Sequence, residues 1–237
     1  MPNPFFKFKE FTVFHDRCAM KVGTDGVLLG AWTDISGCNK ILDVGTGTGL
    51  IAMMCAQRNR KVGINAIDID DEAIEQAKDN IKNSPFSERI SCIKASFQEL
   101  EKQTFAKYDL IVSNPPFFTQ SLKSPDRERT LARHNDSLST DELVSISSGL
   151  LTDKGKLSVI YPFEYKDTLI RLAKEYRLFV VRITNVYPTL SPIPKRVLME
   201  LSKEELHVVE NNLIIEKERH VYSDEFIGLV KDFYWGM

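Results

Sequence analysis

The segment Asn114-Pro115-Pro116-Phe117 directly follows an apolar run over residues 108–112 and combines residue types that could hold an amino group. Pro115 disfavours the α conformation at Asn114, and each proline fixes its own φ near about −65°, so the segment is stiff. Because proline has no N–H, the turn offers mainly acceptors, the Asn114 side-chain oxygen and the Pro115 carbonyl. Two such acceptors can bind both hydrogens of an exocyclic amino group and direct its lone pair at a methyl donor. They also stabilise the positive charge that grows on nitrogen.

The aromatic residue of this segment points to a nucleobase as the target. Phe117 offers a flat apolar face, and stacking a base on such a ring is worth about 1–3 kcal/mol. A base must leave its stack to reach a pocket of this kind, which favours an RNA loop or single strand as the substrate. The candidate catalytic residues are therefore Asn114, Pro115 and Phe117. The alternative is that the segment is only a rigid turn with its phenylalanines in the core.

A second segment, LDVGTGTGL, could bind a cofactor. It places Gly45, Gly47 and Gly49 between an apolar run and a helical pattern, where glycine permits positive φ and close approach of a ligand to the main chain. The dinucleotide pattern G-x-G-x-x-G would require a third glycine at position 50, which is Leu50. The loop is therefore not suited to a pyrophosphate in the usual way.

Acidic residues frame the same loop. Asp43 precedes the glycines, and about 20 residues further on Asp68 ends the next apolar run, where an acid can accept both ribose hydroxyls of a nucleoside. A cofactor with a ribose but no pyrophosphate fits both features, and S-adenosylmethionine is such a cofactor. Ile69 and Ser96 complete the candidate cofactor site with Phe97, which could either stack on the adenine or be the first core residue of a short helix. The alternative for the whole site is a tight turn in which Asp68 only caps a helix.

Alternating strands and helices would position these segments. From about residue 40, short apolar runs alternate with helical patterns, which predicts an α/β, Rossmann-like sheet with helices on both faces. We expect seven strands, mostly parallel, with one antiparallel strand near an edge because no helix separates the last two. The predicted strands are KILDVG, VGINAIDID, RISCIKA, YDLIVSN, GKLSVIYP, LFVVRITNVYP and RVLMELSK. Ser139 and Glu142 form a capping-box pattern before the fifth strand.

Composition fits a soluble protein of one domain spanning residues 1–237. The chain has 237 residues, 43% of them hydrophobic and 27% charged, and a formal net charge of −2, so any positive charge toward RNA must be local. No apolar stretch approaches the roughly 18–20 residues that span a bilayer, and no secretory signal is present. Four cysteines lack metal-ligand spacing, so we expect no metal and a cytoplasmic protein. We also expect a monomer.

DVGTGTG, Asp68 and NPPF together resemble the amino-group methyltransferases of the class I S-adenosylmethionine-dependent fold. Three further segments make the chain similar to the bacterial tRNA1(Val) adenine-37 N6-methyltransferases: FTVFHDRCAMKVGTDGVLLGAW, TLARHNDSLSTDELV and PIPKRVLMELSK. The resemblance implies that Asn114, Pro115 and Phe117 bind the target adenine beside the anticodon. It also implies that the cofactor site is lined by Gly45, Gly47, Asp68 and Phe97. Many related enzymes carry an acid where this chain has Ser96.

The N-terminal part of this resemblance includes Thr24 and Asp25. They could close over the methionine end of the cofactor, or Asp25 could simply begin a helix. Residues 1–39 are accordingly expected to form an extension that covers the cofactor site.

Basic residues that could contact tRNA phosphates occur in three places, the first of which, near the N-terminus, carries Lys7, Lys9, Arg17 and Lys21. The insertion over residues 117–138, a possible lid, carries Arg127, Arg129 and Arg133, and Lys195 and Arg196 precede the last predicted strand. The alternative is a solvated loop in which acidic residues balance the arginines.

Three other functions are compatible with parts of the sequence. Release-factor glutamine methyltransferases share Asn-Pro-Pro, but they carry a helical domain before the glycine loop. Ribosomal-RNA guanine-N2 methyltransferases share NPPF in longer chains. A non-catalytic RNA-binding module is the third. The C-terminal DEFIGLVKDFYWGM reads as an amphipathic helix that packs on the sheet by default or meets a partner otherwise.

Overall fold

The computed structural model describes residues 3–18, 20–104, 106–116 and 138–237. Its centre is an eight-stranded sheet with the order β10-β8-β9-β7-β6-β3-β4-β5. The strands of this sheet are β3 (Lys40–Val44), β4 (Gly63–Asp68), β5 (Ile90–Lys94), β6 (Tyr108–Ser113), β7 (Leu151–Pro162), β8 (Phe179–Tyr187), β9 (Arg196–Ser202) and β10 (Val209–Ile214). Two small antiparallel pairs lie outside it: β1 (Phe5–Lys7) with β2 (Thr12–Phe14), and β11 (Glu216–Glu218) with β12 (Val221–Tyr222).

One strand reverses direction within this sheet. β9 is antiparallel to both of its neighbours, β7 and β8, whereas every other neighbouring pair is parallel. The predicted mostly parallel sheet with one antiparallel strand is therefore confirmed. The predicted count of seven strands is wrong, because β10 adds an eighth at the edge beside β8.

Helices cover both faces of the sheet, as expected. They are α1 (Thr24–Trp32), α2 (Leu50–Arg58), α3 (Asp71–Lys82), α4 (Phe97–Gln103), α5 (Thr140–Leu150), α6 (Lys166–Glu175) and α7 (Asp224–Val230). Side chains of α1, α2, α3 and α7 share one apolar cluster, and those of α4, α5 and α6 share another. Adjacent residues of β3 enter opposite clusters, Ile41 the first and Leu42 the second, because successive strand side chains point to opposite faces.

Local sequence explains where several helices begin. Ser139 accepts from the Glu142 N–H at 3.1 Å and Glu142 accepts from the Ser139 N–H at 2.9 Å, which is the predicted capping box of α5. Ser96 and Glu99 form a second capping box at α4. Helix α2 is buried from Leu50 to Ala56 because it lies between the sheet and α1.

Both ends of the chain pack on the first apolar cluster. The segment before residue 39, which was expected to form an extension, includes β1, β2 and α1. At the other end Phe226, Val230 and Phe233 are buried in the same cluster, which places the C-terminal helix on the core. Among the described residues, no helix is both long and apolar enough to cross a bilayer.

Candidate active site

A cleft of about 400 Å³ lies beyond the carboxyl ends of β3 and β6, which are neighbours in the sheet. The crevice outside the carboxyl ends of parallel strands is where such sheets bind ligands. The cleft brings together three separate parts of the chain: the glycine loop, the Asn-Pro-Pro turn and the N-terminal segment before and into α1. Its lining residues are Met20, Lys21, Val22, Gly23, Thr24, Asp25, Gly26, Gly45, Thr46, Gly47, Thr48, Leu50, Ile51, Asn114, Pro115, Pro116 and Arg196.

The glycine loop has the backbone that the sequence predicted. Gly45, Gly47 and Gly49 have φ of 71°, 54° and 81°, values that residues with a Cβ rarely adopt. A Cβ at Gly45 or Gly47 would meet nothing within 4 Å, so these backbones have open space beside them. At Gly49 it would lie 3.5 Å from Ile81, in ordinary contact with α3. The first two glycines therefore leave room for a ligand, whereas the third sits at the junction with helix α3.

Asp68 is placed against this loop. Its Oδ2 accepts a hydrogen bond from the Gly47 N–H at 2.8 Å, and its Oδ1 accepts one from the Asp70 N–H at 3.1 Å. The carboxylate is thereby fixed in orientation, and each oxygen has a further lone pair for a hydroxyl group. Beside it, Ile69 is 50% exposed and provides an apolar surface for a flat ring.

Asp43 lies beneath the loop. It is fully buried, and its Oδ2 accepts from the Thr46 hydroxyl at 2.6 Å and from the Ala52 N–H at 3.2 Å. Burial raises the pKa of this carboxyl to about 7. The structure therefore has Asp43 tying the loop to the first turn of α2, with its side chain out of contact with solvent.

Asn114 is the polar group of the turn that follows β6. Its Oδ1 is buried and has no hydrogen-bond partner among the residues that the structure describes, although Asn114 lines the cleft. The strand before it is held firmly, because the Ser113 hydroxyl donates to the Val44 carbonyl of β3 at 2.8 Å. Pro115 is buried and Pro116 exposed. An acceptor left without a donor in this position costs about 1–3 kcal/mol, and a ligand that brings a donor recovers it.

The N-terminal segment closes one side of the cleft. Asp25, in the first turn of α1, accepts from the Arg196 Nε at 2.8 Å, and both side chains are about one-third exposed or less. This ion pair joins α1 to the start of β9, and Thr24 lines the cleft beside it. Arg196 is therefore placed inside the cleft, whereas Lys195 next to it is exposed.

Six predicted cofactor residues are absent from the cleft lining: Asp43, Gly49, Asp68 and Ile69, which belong to or adjoin the glycine loop and the end of β4, and Ser96 and Phe97. Phe97 is only 3% exposed and packs in the second apolar cluster, the second of its two possible roles. Ser96 caps α4: its hydroxyl accepts from the Glu99 N–H at 3.1 Å, and its own N–H donates to the Glu99 carboxylate at 3.0 Å. Phe117, Arg127, Arg129 and Arg133 lie outside the described residues.

Asn80 is a positioning residue that the sequence did not reveal. It is 1% exposed and lies on α3, where its Nδ2 donates to the carbonyls of Thr48 at 2.9 Å and Phe14 at 2.8 Å. Its Oδ1 accepts from the Phe14 N–H at 2.9 Å. One side chain thus joins the glycine loop to the N-terminal hairpin. A polar residue on the same helix face as Ala77 and Ile81 was the available signal.

Comparison with known families agrees with this geometry. The model of the methyltransferase small domain matches residues 23–176. The chain is 51% identical over 238 residues to the tRNA1(Val) (adenine(37)-N6)-methyltransferase of Parabacteroides distasonis, covering 100% of each. It is 49% identical over 231 residues to the protein of the same name from Trichodesmium erythraeum, covering 97% of each.

Solved structures show the same fold at much lower identity. A predicted O-methyltransferase from Agrobacterium tumefaciens superposes with a TM-score of 0.69 at 19% identity, covering 88% of this chain and 96% of that one. The ribosomal protein L11 methylase of Lactobacillus delbrueckii subsp. bulgaricus superposes with a TM-score of 0.53 at 16% identity, covering 76% and 77%. The expected class I methyltransferase fold is confirmed.

Proposed function

The chain belongs to the methyltransferase small domain family and, within it, to the tRNA1(Val) (adenine(37)-N6)-methyltransferases, and we propose the corresponding reaction for it. It methylates the exocyclic N6 amino group of adenine 37 in the anticodon loop of tRNA1(Val), with S-adenosylmethionine as the methyl donor. A tRNA substrate places the reaction in the cytoplasm.

The observation that carries this proposal is the unpaired, buried Oδ1 of Asn114 at the cleft. An amino group of a base supplies the donor that this oxygen lacks. The same oxygen then stabilises the positive charge that develops on nitrogen, and it is already fixed in place before the reaction begins. The Pro115 carbonyl is the second acceptor in the proposal, since the two prolines hold this turn rigid.

The residues around the cleft suit S-adenosylmethionine. Gly45 and Gly47 would lie against it with their open backbones, Asp68 would accept its ribose hydroxyls, and Ile69 would cover one face of its adenine. When bound, the cofactor supplies an electrophilic methyl group on a sulfonium. The glycine loop and Asn114 line the same cleft, so a cofactor bound at the loop would lie close to Asn114.

The protein's own part in the reaction is to orient and to polarise. Holding an amino group by both hydrogens takes the nitrogen out of conjugation with the ring and leaves its lone pair free to attack. The methylated amine is acidic enough to lose its extra proton to water, so no dedicated base is required. Phe117, by its resemblance to the family, is proposed to stack on the target adenine.

The remaining parts of the chain have supporting roles in this proposal. Residues 1–237 act as one domain, and residues 1–39 cover the cofactor site through Thr24 and Asp25. The Asp25–Arg196 ion pair keeps that cover in place. Lys195 and the arginines of the insertion, Arg127, Arg129 and Arg133, are proposed to contact tRNA phosphates.

The test is transfer of a tritium-labelled methyl group to unmodified tRNA1(Val) transcript and, in parallel, to ribosomal RNA and to a release factor, followed by analysis of the labelled products. We expect label only in N6-methyladenosine, and no label when the transcript carries guanosine at position 37. Label in N2-methylguanosine of ribosomal RNA would indicate the guanine enzyme, and label in a release factor would indicate the glutamine enzyme. Binding of tRNA without any transfer would indicate a binding module. Each of these three results contradicts the proposal.

A further inference from the structure

A second cavity of about 580 Å³ lies at the same end of the sheet as the cleft, where the parallel strands have their carboxyl ends. It opens beyond the carboxyl ends of β8 and β10, where Pro188 and Ile215 line it. We call it the aromatic groove, since five of its lining residues are aromatic. The full lining is Phe6, Lys7, Thr24, Pro188, Thr189, Ile215, Glu216, Tyr222, Phe226, Tyr234, Trp235 and Met237.

The most exposed ring of the groove is held in a fixed position. Trp235 is 63% exposed, yet its Nε1–H donates to the Phe8 carbonyl at 3.1 Å. The neighbouring Tyr234 stacks on the buried Phe8 with ring centroids 5.7 Å apart and an interplanar angle of 10°. The Lys9 N–H donates to the Phe233 carbonyl at 2.9 Å, which fixes the C-terminal turn to the N-terminal hairpin. A large aromatic face is thus presented to solvent without the freedom to turn away.

The groove and the cleft lie next to each other. Thr24, at the start of α1, lines both cavities. In the sheet, β8 is three strands away from β6, a span of about 14 Å at the usual strand spacing. Arg196 begins β9 within that span, opposite the end of β7. A few nucleotides of single-stranded RNA cover such a distance.

We propose that the aromatic groove binds an unstacked nucleotide of the same anticodon loop whose adenine enters the cleft. Its base stacks on Trp235, Lys7 contacts its phosphate and Glu216 can accept a hydrogen bond from its edge. Stacking on an aromatic ring is the usual way in which proteins bind an unpaired base. The inference rests on the proposed function and adds a second point of contact to it, which sets the position of the loop.

The test compares Trp235→Ala with Phe179→Ala. Phe179 is an exposed aromatic residue, at 40%, but it begins β8 and so lies at the opposite end of the strands from the groove. With an unmodified anticodon stem-loop as the RNA, Trp235→Ala should raise the KM for RNA about tenfold or more. The kcat and the Kd for S-adenosylhomocysteine should stay unchanged, and Trp235→Phe should restore most of the affinity. Phe179→Ala should behave as the wild type.

Tryptophan fluorescence gives an independent reading. The chain has two tryptophans, and Trp32 is only 6% exposed, so quenching by RNA reports on Trp235. We expect quenching on addition of the stem-loop in the wild type and none in Trp235→Ala. A wild type that methylates the stem-loop, with equal KM in both proteins and no quenching, overturns this inference while the proposed function stands. A wild type that transfers no methyl group removes the proposed function instead. A dimer lost in Trp235→Ala at unchanged RNA affinity also overturns the inference.

Discussion

Asp43 and Asn114 each have a buried Oδ1 without a hydrogen-bond partner in the described part of the chain, and they differ in how that oxygen can be satisfied. Asp43 can take up a proton, because burial disfavours the charged carboxylate and raises its pKa to about 7. Asn114 has no such option, because an amide side chain does not titrate in this range. No donor in the described part of the chain reaches its oxygen, so we expect a donor on the substrate to satisfy it. At the scale of single residues, this difference separates the loop-holding group from the proposed substrate-binding group.

Replacing Asn114 with alanine tests the second of these assignments. We expect kcat for tRNA methylation to fall at least about 100-fold, the usual loss when one preorganised polar group is removed from a reacting centre. The Kd for S-adenosylhomocysteine, measured by calorimetry, should change little, since the glycine loop and Asp68 are intact. Unchanged turnover would refute the role of Asn114 in catalysis.

Replacing Asp43 with asparagine tests the first assignment through pH. The folded-state pKa of about 7 is above the usual value of an aspartate, so ionisation opposes folding. The wild type should therefore lose stability as pH rises from about 4 to about 7, by a few kcal/mol at about 1.4 kcal/mol per pKa unit, and Asp43→Asn should not show that loss.

The measurement is the free energy of unfolding in urea for both proteins between pH 5 and 8. Other titrating groups are common to both, so the difference between the two proteins isolates residue 43. The free energy of unfolding of the wild type minus that of Asp43→Asn should fall as pH rises and become level above about pH 7.5. A difference that does not vary with pH would contradict the raised pKa.

At the scale of elements, the sequence predicts the buried strands of the central sheet and misses the exposed strand at its edge. β3, β6 and β9 are largely apolar and mostly buried, since helices cover them on both sides, and each was identified. β10, Val209–Ile214, is an edge strand whose first four residues are exposed, and it includes two asparagines. No apolar pattern marks such a strand, so the eighth strand could not be recognised.

The site follows the same logic. The sequence predicts the glycine loop and the Asn-Pro-Pro turn because their backbone requirements are local. Asn80 and the Asp25–Arg196 pair act between segments far apart in the chain, so only the fold brings them together. The core location of Phe97 likewise depends on how α4 packs on α5.

Two glycines in regular elements give a prediction at this scale. A Cβ at Gly155, in β7, would lie 2.8 Å from the Tyr108 carbonyl oxygen and 2.9 Å from the Thr152 nitrogen, both backbone atoms that cannot move cheaply. Gly155→Ala should therefore destabilise the protein by about 1–3 kcal/mol. A Cβ at Gly228, in α7, would meet nothing within 4 Å, and Gly228→Ala should stabilise by up to about 1 kcal/mol.

Thermal unfolding of the two variants provides the comparison, since both make the same chemical change. Opposite shifts in Tm relative to the wild type are expected. Equal shifts would mean that the close packing of β7 against β6 at Gly155 does not limit the residue there.

At the scale of the whole molecule, the candidate functional groups are concentrated at one end of the sheet. The glycine loop, Asn114, the start of β9 and the aromatic groove all lie at the carboxyl ends of the parallel strands. The net charge of −2 provides no general attraction for RNA, so we expect the positive charge that binds it to be local to this end of the sheet. Lys7, Lys21 and Lys195 are exposed there.

Salt dependence tests this location of the RNA-binding charge with a pair of lysines at opposite ends of the sheet. Lys195 is exposed just before β9, at the end that carries the cleft, whereas Lys61 is exposed just before β4, at the other end. A phosphate contact releases counterions, so log KM for RNA should rise linearly with log salt by about 0.7 for each contact to a single strand. Lys195→Gln should lower that slope by about 0.7, and Lys61→Gln should leave it unchanged although the loss of charge is the same. Equal slopes for both variants would mean that the affinity for RNA depends on the net charge of the molecule. The proposed attraction at the cleft end of the sheet would then be wrong.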